Sequence, residues 1–434
     1  MQAPNAWVKP IEFAASKRLI SENYGLFVHF VPELSIDSNG KLLDMEACLE
    51  FNIDDFVSDL KRFKIEYLRF TAWHKNMIPL YPSAVMQHWR GDHAYFERDL
   101  IGEIIRAVRP LGIKIQLYTH PRDGHDFSLD DQVQTGWGAV SKELNPNPDQ
   151  QIFDFSKWND FICDAYAELL RNYGSEISAI YLDEGSELGD SEWVVDYSRL
   201  RKLIKTHAPN AVMIQNYYGN LYSSDMGDHE YGRWGEFADL DGGTWPTYKY
   251  QSVSAVVGST WWAGTAAADF DPGYSAIDIY RYLVMQIATS KIGGGLALAA
   301  GPYCEGGWEP GVASRLSEVA DYISINAQGI FGVQASEKWA CSHAQKFSKI
   351  TWGVAVDSGS YTFLHVLKWP ENSRLKLPAP ADGSVVATVT GCWDEKNVPF
   401  LIGGDGAVEL DLSAVSQFEI DTLLKVTFLE RGIG

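Results

Sequence analysis

Seven short runs of almost uninterrupted apolar residues punctuate most of this chain: "YGLFVHF" (24–30), "IEYLRFT" (65–71), "IKIQLYT" (113–119), "AIYLDE" (179–184), "VMIQN" (212–216), "AVVGSTWW" (255–262) and "GLALAAGP" (295–302). Strands apolar on both faces belong to parallel sheets covered on both sides. Between the runs, at 54–63, 97–109, 157–173, 191–206, 275–291 and 310–326, apolar residues recur every three or four positions, the spacing of amphipathic helices. Such alternation builds right-handed βαβ units, and about eight of them close into a (β/α)8-like TIM barrel. Seven runs are visible, so an eighth strand is expected near 233–250.

After Gly332 the texture changes. From residue 337 the segments "KITWGVAV", "SYTFLHVLKW", "SVVATVTGCW", "VELDL" and "LLKVTFL" are short, β-rich and separated by turn residues. The expected division is therefore an α/β barrel over 1–332 and a C-terminal antiparallel β-sandwich over 333–434.

Composition narrows the partners. A formal net charge of -21 opposes a phosphate backbone, so nucleic acid is excluded. No stretch approaches the ~20 apolar residues of a spanning helix, so no membrane insertion is expected. The N-terminal "MQAPNAWVKPIEF" lacks a signal-peptide core, which implies a cytoplasmic protein if full length, or a periplasmic or secreted one if a leader was removed. Five scattered cysteines show no CxxC spacing and indicate neither zinc nor a disulfide framework. Fifteen tryptophans supply flat faces suited to sugar rings, although aromatic side chains also fill cores.

In an α/β barrel the reactive side chains follow the strands. After the runs come His29; Trp73, His74 and Lys75; Tyr118 and His120; Asp183 and Glu184; Asn216 and Tyr217; Asp228, His229, Glu230 and Glu236 in "MGDHEYGRWGEF"; and Trp261 and Trp262. Two carboxyl groups among His, Trp and Tyr describe a sugar-cleaving pocket, which needs one group at the anomeric carbon and one to protonate the leaving oxygen. His29, His74, His120 and Asp183 could alternatively ligate a metal, but no HxH pair follows the first run.

The chain resembles the α-L-fucosidases of glycoside hydrolase family 29. "YGLFVHF", "KIEYLRFTAWHKNMIPLYPS", "LIGEIIRAVRPLGIKIQLYTH", "YGSEISAIYLDEG", "LRKLIKTHAPNAVMIQN" and "IDIYRYLVMQIATSKIGGGLALAAGP" are similar to that family's successive blocks, in order, over residues 20–332. The resemblance implies a barrel with a C-terminal sandwich and retaining, exo-acting chemistry on a carbohydrate, without metal or cofactor. It implies Asp183 as nucleophile and Glu230 as acid/base in a loop after strand five, with Glu236 in reserve. His29 and His74 match sugar-contacting histidines, and Lys75, Tyr118, His120, Trp262 and Glu236 complete the expected substrate contacts. Lys75 replaces the second histidine of the family's His-His pair, so the sugar is expected to be altered or modified. A relative that binds sugar without turnover stays open as the alternative, and so does a homo-oligomer.

Overall fold

The computed structural model describes residues 18–137, 153–183, 194–216, 224–231, 251–341 and 350–429. Eight parallel strands run in sequence order: β1 (Tyr24–Val28), β2 (Tyr67–Thr71), β3 (Lys114–Thr119), β4 (Ile177–Leu182), β5 (Val212–Asn216), β6 (Met226–Tyr231), β7 (Gln251–Val256) and β8 (Leu296–Ala299). The barrel closes where β8 pairs with β1. Helices Ile53–Phe63, Leu100–Val108, Phe155–Tyr173, Tyr197–His207, Ala276–Thr289 and Val312–Ile325 lie where the apolar spacing requires them. The first five begin at Asn52, Asp99, Asp154, Asp196 and Ser275, whose side chains accept from the backbone N–H three residues on. No described helix is long and apolar enough to cross a membrane.

Because side chains alternate along a strand, the barrel has two cores. Leu26, Val28, Leu68, Phe70, Ile180 and Leu182 join the shell beneath the helices. Phe27, Tyr67, Tyr118, Tyr181, Ile214, Ala297 and Ala299 fill the lumen. Gly25 makes room for the ring of Tyr67, which an added Cβ would meet at 2.2 Å. The lumen also holds Arg69, sandwiched between Phe27 and Tyr181 with its guanidinium 4.8 and 4.3 Å from the ring centres. Its N–H groups donate to Gln116 and Ser254, and Asp228 lies 3.3 Å away as its ion partner.

Two strands differ from the sequence reading. The eighth strand of the ring is β6, the "MGDHEY" segment, rather than 233–250, a stretch that lies outside the described residues. β7 begins at Gln251 rather than at Ala255, and Trp261 and Trp262 lie in the turn that follows it. The physical reason is shared. Asp228, Ser252 and Ser254 are buried with polar partners, Ser252 donating to Asp228 and Arg69 to Ser254, so their strands lack the apolar signature of their neighbours.

Beyond the barrel lie β9 (Gln334–Ala335), β10 (Gly353–Ser358), β11 (Tyr361–Val366), β12 (Arg374–Leu377), β13 (Val386–Gly391), β14 (Phe400–Ile402), β15 (Val408–Asp411) and β16 (Thr422–Phe428). They form antiparallel sheets of order β13-β16-β11-β10-β9 and β12-β15-β14. Alternation again separates two faces. Leu364, Val366, Leu424 and Val426 pack against Leu375, Leu377, Val408 and Leu410 of the smaller sheet. Val354, Val356, Phe363 and Leu423 join the barrel's outer core.

The seam between the barrel helices and this sheet carries one buried polar knot. Asp421 Oδ2 accepts from the Tyr280 hydroxyl at 2.6 Å and lies 2.6 Å from His365 Nδ1, while Asn326 Nδ2 donates to the Tyr280 oxygen at 2.9 Å. Removing the carboxylate strands two buried groups, the Tyr280 hydroxyl and His365 Nδ1, each costing about 1–3 kcal/mol unless water replaces it. Asp421→Ala should therefore lower unfolding free energy by about 2–4 kcal/mol in urea titrations. A midpoint within experimental scatter of the wild type would show that the knot contributes nothing to the seam.

Candidate active site

Lumen-facing residues recur at every second position, and the strands carry that register past the end of the aromatic core. Two residues beyond Phe27, Tyr181, Ile214 and Asp228 stand His29, Asp183, Asn216 and Glu230. The same parity that buries the ring layer thus delivers four polar side chains to the barrel's C-terminal mouth.

Asp183 is held from two sides. The Tyr118 hydroxyl donates to Oδ2 at 2.5 Å, and Asn216 Nδ2 donates to Oδ1 at 2.9 Å. The same Asn216 nitrogen donates to Glu230 Oε2 at 2.8 Å, and the Tyr181 hydroxyl donates to Glu230 Oε1 at 2.5 Å. Two oxygens bonded to one nitrogen can be no more than about 6 Å apart, which is short of the ~6.5 to 9.5 Å carboxyl spacing of inverting glycosidases and admits the ~5 to 5.5 Å of retaining ones. Asp183 is 9% exposed, and Glu230 is half-buried.

Two carboxyls this close cannot both ionise cheaply, and their surroundings differ. Burial pushes Asp183 upward, but the imidazoles of His120 and His74 and the Tyr118 and Asn216 hydrogen bonds outweigh it, leaving the group below its usual value. Burial and then the charge of Asp183 push Glu230 well above the usual carboxyl range, only partly offset by the Tyr181 hydrogen bond and by Arg69. The surroundings therefore push the two groups apart, Asp183 toward the carboxylate and Glu230 toward the carboxylic acid. Tyr118 and Tyr181 are themselves pushed far up by burial and neighbouring carboxyls, so both remain donors.

Aromatic and imidazole rings wall the same mouth. His29 lies 4.5 Å from Tyr118, 5.8 Å from His74 and 5.6 Å from Trp261 between ring centres. His74 lies 5.6 Å from His120 and 6.4 Å from Trp262. Burial depresses the His29 and His120 imidazoles. His29 is 3% exposed and its Nδ1 has no hydrogen-bond partner among the described residues. Asn216 Oδ1 is in the same position. A hydroxylated ligand would satisfy both, since buried polar atoms are rarely left unpaired.

The turn after β2 is locked by groups that sequence reasoning missed. Buried Asp123 places Oδ2 3.1 Å from His74 Nδ1, and its carboxyl stays well below the usual range, because neighbouring imidazoles and the His74 hydrogen bond outweigh burial. Asn76 and Met77 follow with φ of 59° and 42°, left-handed values that non-glycine residues avoid. Arg90 NH1 donates to the Asn76 carbonyl at 2.5 Å, its Nε donates to Asp131 at 3.0 Å, and its guanidinium covers Phe127. The strain at the mouth is thus held by a buried ion pair.

The expected residues divide plainly. Asp183, Glu230, His29, His74, Tyr118, His120 and Trp262 meet at one opening. Glu230 sits on β6 itself, not in a loop after the fifth strand. Lys75 is at the edge, its ammonium 3.9 Å from the Glu33 carboxylate with both side chains partly exposed, paired with Glu33 rather than with the ring cluster. Glu236 and Glu184 lie outside the described residues. His29, His74, His120 and Asp183 do not converge on one cation position; among the described residues the only such group is Asp123, His125 and Asp126. Asn216 was legible as a strand-end residue and Tyr181 only as part of an apolar run, and nothing local marks their shared task.

Comparisons with known proteins agree with this fold. The family model for α-L-fucosidase matches residues 24–328. The α-L-fucosidase of Dictyostelium discoideum is 21% identical over 366 residues, covering 81% of this chain and 70% of that protein. Tissue α-L-fucosidase of Rattus norvegicus is 25% identical over 341 residues, 73% of this chain, which spans 62% of the rat protein. α-L-Fucosidase isoenzyme 1 from Paenibacillus thiaminolyticus superposes with a TM-score of 0.67 at 18% identity, over 94% of this chain and 97% of that one. A GH29 α-L-fucosidase from Bacteroides thetaiotaomicron, solved as a trapped covalent intermediate in a Glu-to-Gln mutant, superposes with a TM-score of 0.67 at 14% identity, over 94% of each chain.

The raised Glu230 value has a consequence for stability. On folding this group takes up a proton at any pH between the ordinary value of 4.5 and its raised one, so the native state loses stability as pH climbs through that window. Glu230→Gln removes the titration. Urea midpoints of wild type and E230Q should differ by a constant below about pH 4.5 and diverge in the variant's favour as pH rises above it. Parallel midpoints throughout would mean that the carboxyl titrates normally.

Proposed function

The chain belongs to the α-L-fucosidase family, a family of glycoside hydrolases, and we propose that it is a retaining exo-glycosidase that removes terminal α-L-fucose from glycans. The observation that carries this reading is the single Asn216 nitrogen bonded to both carboxyls, which holds Asp183 and Glu230 close enough for double displacement.

Asp183 enters as the carboxylate. Tyr118 and Asn216 aim it, and its oxygen forms a bond to the anomeric carbon as the bond to the leaving oxygen breaks. Glu230, held protonated, gives its proton to that leaving oxygen. The first displacement leaves a glycosyl ester on Asp183 and a carboxylate on Glu230. That carboxylate then takes a proton from water, whose oxygen attacks the same carbon and displaces Asp183 with net retention. His29, His74 and His120 supply hydrogen bonds to ring hydroxyls, and Trp261 and Trp262 an apolar wall for the sugar face.

Asp183→Gly should lower kcat on an aryl α-L-fucoside at least ~1,000-fold while circular dichroism stays native. Turnover within tenfold of wild type would remove Asp183 from the nucleophile's role. A parallel panel of fucosides, galactosides and sulfated or acetylated fucosides tests the sugar, since Lys75 puts a cation at the edge of the mouth. Activity confined to a modified sugar would rename the substrate and keep the mechanism. Tight sugar binding without turnover on any panel member would replace the hydrolase by a binding protein.

A further inference from the structure

The two tryptophans at the mouth stand on a turn that leaves β7 at Val257 and Gly258, whose N–H groups both donate to the Ala299 carbonyl. Nothing in the apolar pattern of residues 259–265 accounts for what holds this turn in place. The explanation lies 50 residues downstream, between β8 and helix Val312–Ile325.

Glu309 is 1% exposed. Its Oε2 accepts from Ser259 N at 2.6 Å, and its Oε1 accepts from the Ser259 hydroxyl, from Gly264 N at 2.8 Å and from Thr265 N at 2.9 Å. One carboxylate thus ties the first and last residues of the turn together. Four donors replace the water lost on burial, without which a buried carboxylate would be costly. Trp261 and Trp262 lie between the tied ends. From behind, Gly301 presses so close that an added Cβ would meet Ala263 N at 2.2 Å, and the Tyr303 hydroxyl donates to the Thr265 carbonyl at 2.7 Å. From the front, Trp261 meets Phe27 and His29, each at 5.6 Å, and Trp262 meets His74. The described hydrogen bonds of Glu309 all end on this turn, so its effect on a bound sugar passes through the turn.

We propose that Glu309 is a positioning residue: it holds the Trp261–Trp262 turn as a preformed wall against the apolar face of a pyranose, and so sets sugar affinity without touching the sugar. A wall fixed before binding spares the ligand the cost of ordering it. The inference rests on the reading of this mouth as a sugar pocket.

Glu309→Gln keeps size but points an amide N–H2 at backbone donors, which frees one end of the turn. With an aryl α-L-fucoside, KM should rise roughly tenfold while kcat stays within about threefold, the signature of lost uniform binding. KM within twofold of wild type would overturn the proposal. Acting through the wall also predicts non-additivity: E309Q should raise KM by a smaller factor in a W262A background than in the wild type, and equal factors in the two backgrounds would overturn the proposal. Should E309Q fail to fold, Ser259→Ala removes one donor and should raise KM about two- to threefold with kcat unchanged; an unchanged KM would overturn it equally. A wild-type protein that neither cleaves nor binds any glycoside instead defeats the pocket reading itself, and an active wild type indifferent to these changes defeats only the role of Glu309.

Discussion

One amide nitrogen organises this site. Asn216 Nδ2 bonds Asp183 on one side and Glu230 on the other, so the spacing of the two carboxyls depends on one rigid side chain at the end of β5. At that spacing, in a poorly solvated mouth, two negative charges repel strongly and one proton is retained. Which group retains it follows from the neighbours. Asp183 is surrounded by imidazoles and two donors, whereas Glu230 faces Asp183 from a half-buried position. Arg69, sandwiched in the ring layer below and ion-paired with Asp228, limits how far Glu230 is pushed.

That arrangement is only as exact as the walls around it. The turn bearing His74 is clamped by Asp123 and by the Arg90–Asp131 pair, and it carries two residues in left-handed backbone. The turn bearing Trp261 and Trp262 is clamped by Glu309. In both cases a buried charged group whose own hydrogen bonds are satisfied freezes a surface turn that local backbone preference would leave mobile. The barrel supplies the rigid floor and buried charges supply the rigid rim.

Much of this was legible in the sequence, for identifiable reasons. Six helices and most strands follow from spacing, because burying one stripe of a helix or both faces of a strand imposes a local period. Asp183 was legible because acids that end an apolar run need a reason to be there. β6 and the true start of β7 were not, because Asp228, Ser252 and Ser254 find their partners inside the lumen and so break the apolar rule. The placement of Lys75 was not legible either. Its neighbour His74 joins the ring cluster, but a shift of one residue turned the ammonium toward Glu33.

By itself, then, the sequence determined a parallel barrel followed by antiparallel sheets, the strand ends that bear chemistry, and the acid on the fourth strand, since each is written in periods of two or about four residues. Only the tertiary structure decided that Asn216 spans two carboxyls, that Asp123 meets His74 across 49 residues, and that Glu309 ties a turn 50 residues away. Those contacts arise from closing eight strands into a ring, which brings chain-distant ends within one hydrogen bond, and no local spacing encodes a distance set by closure.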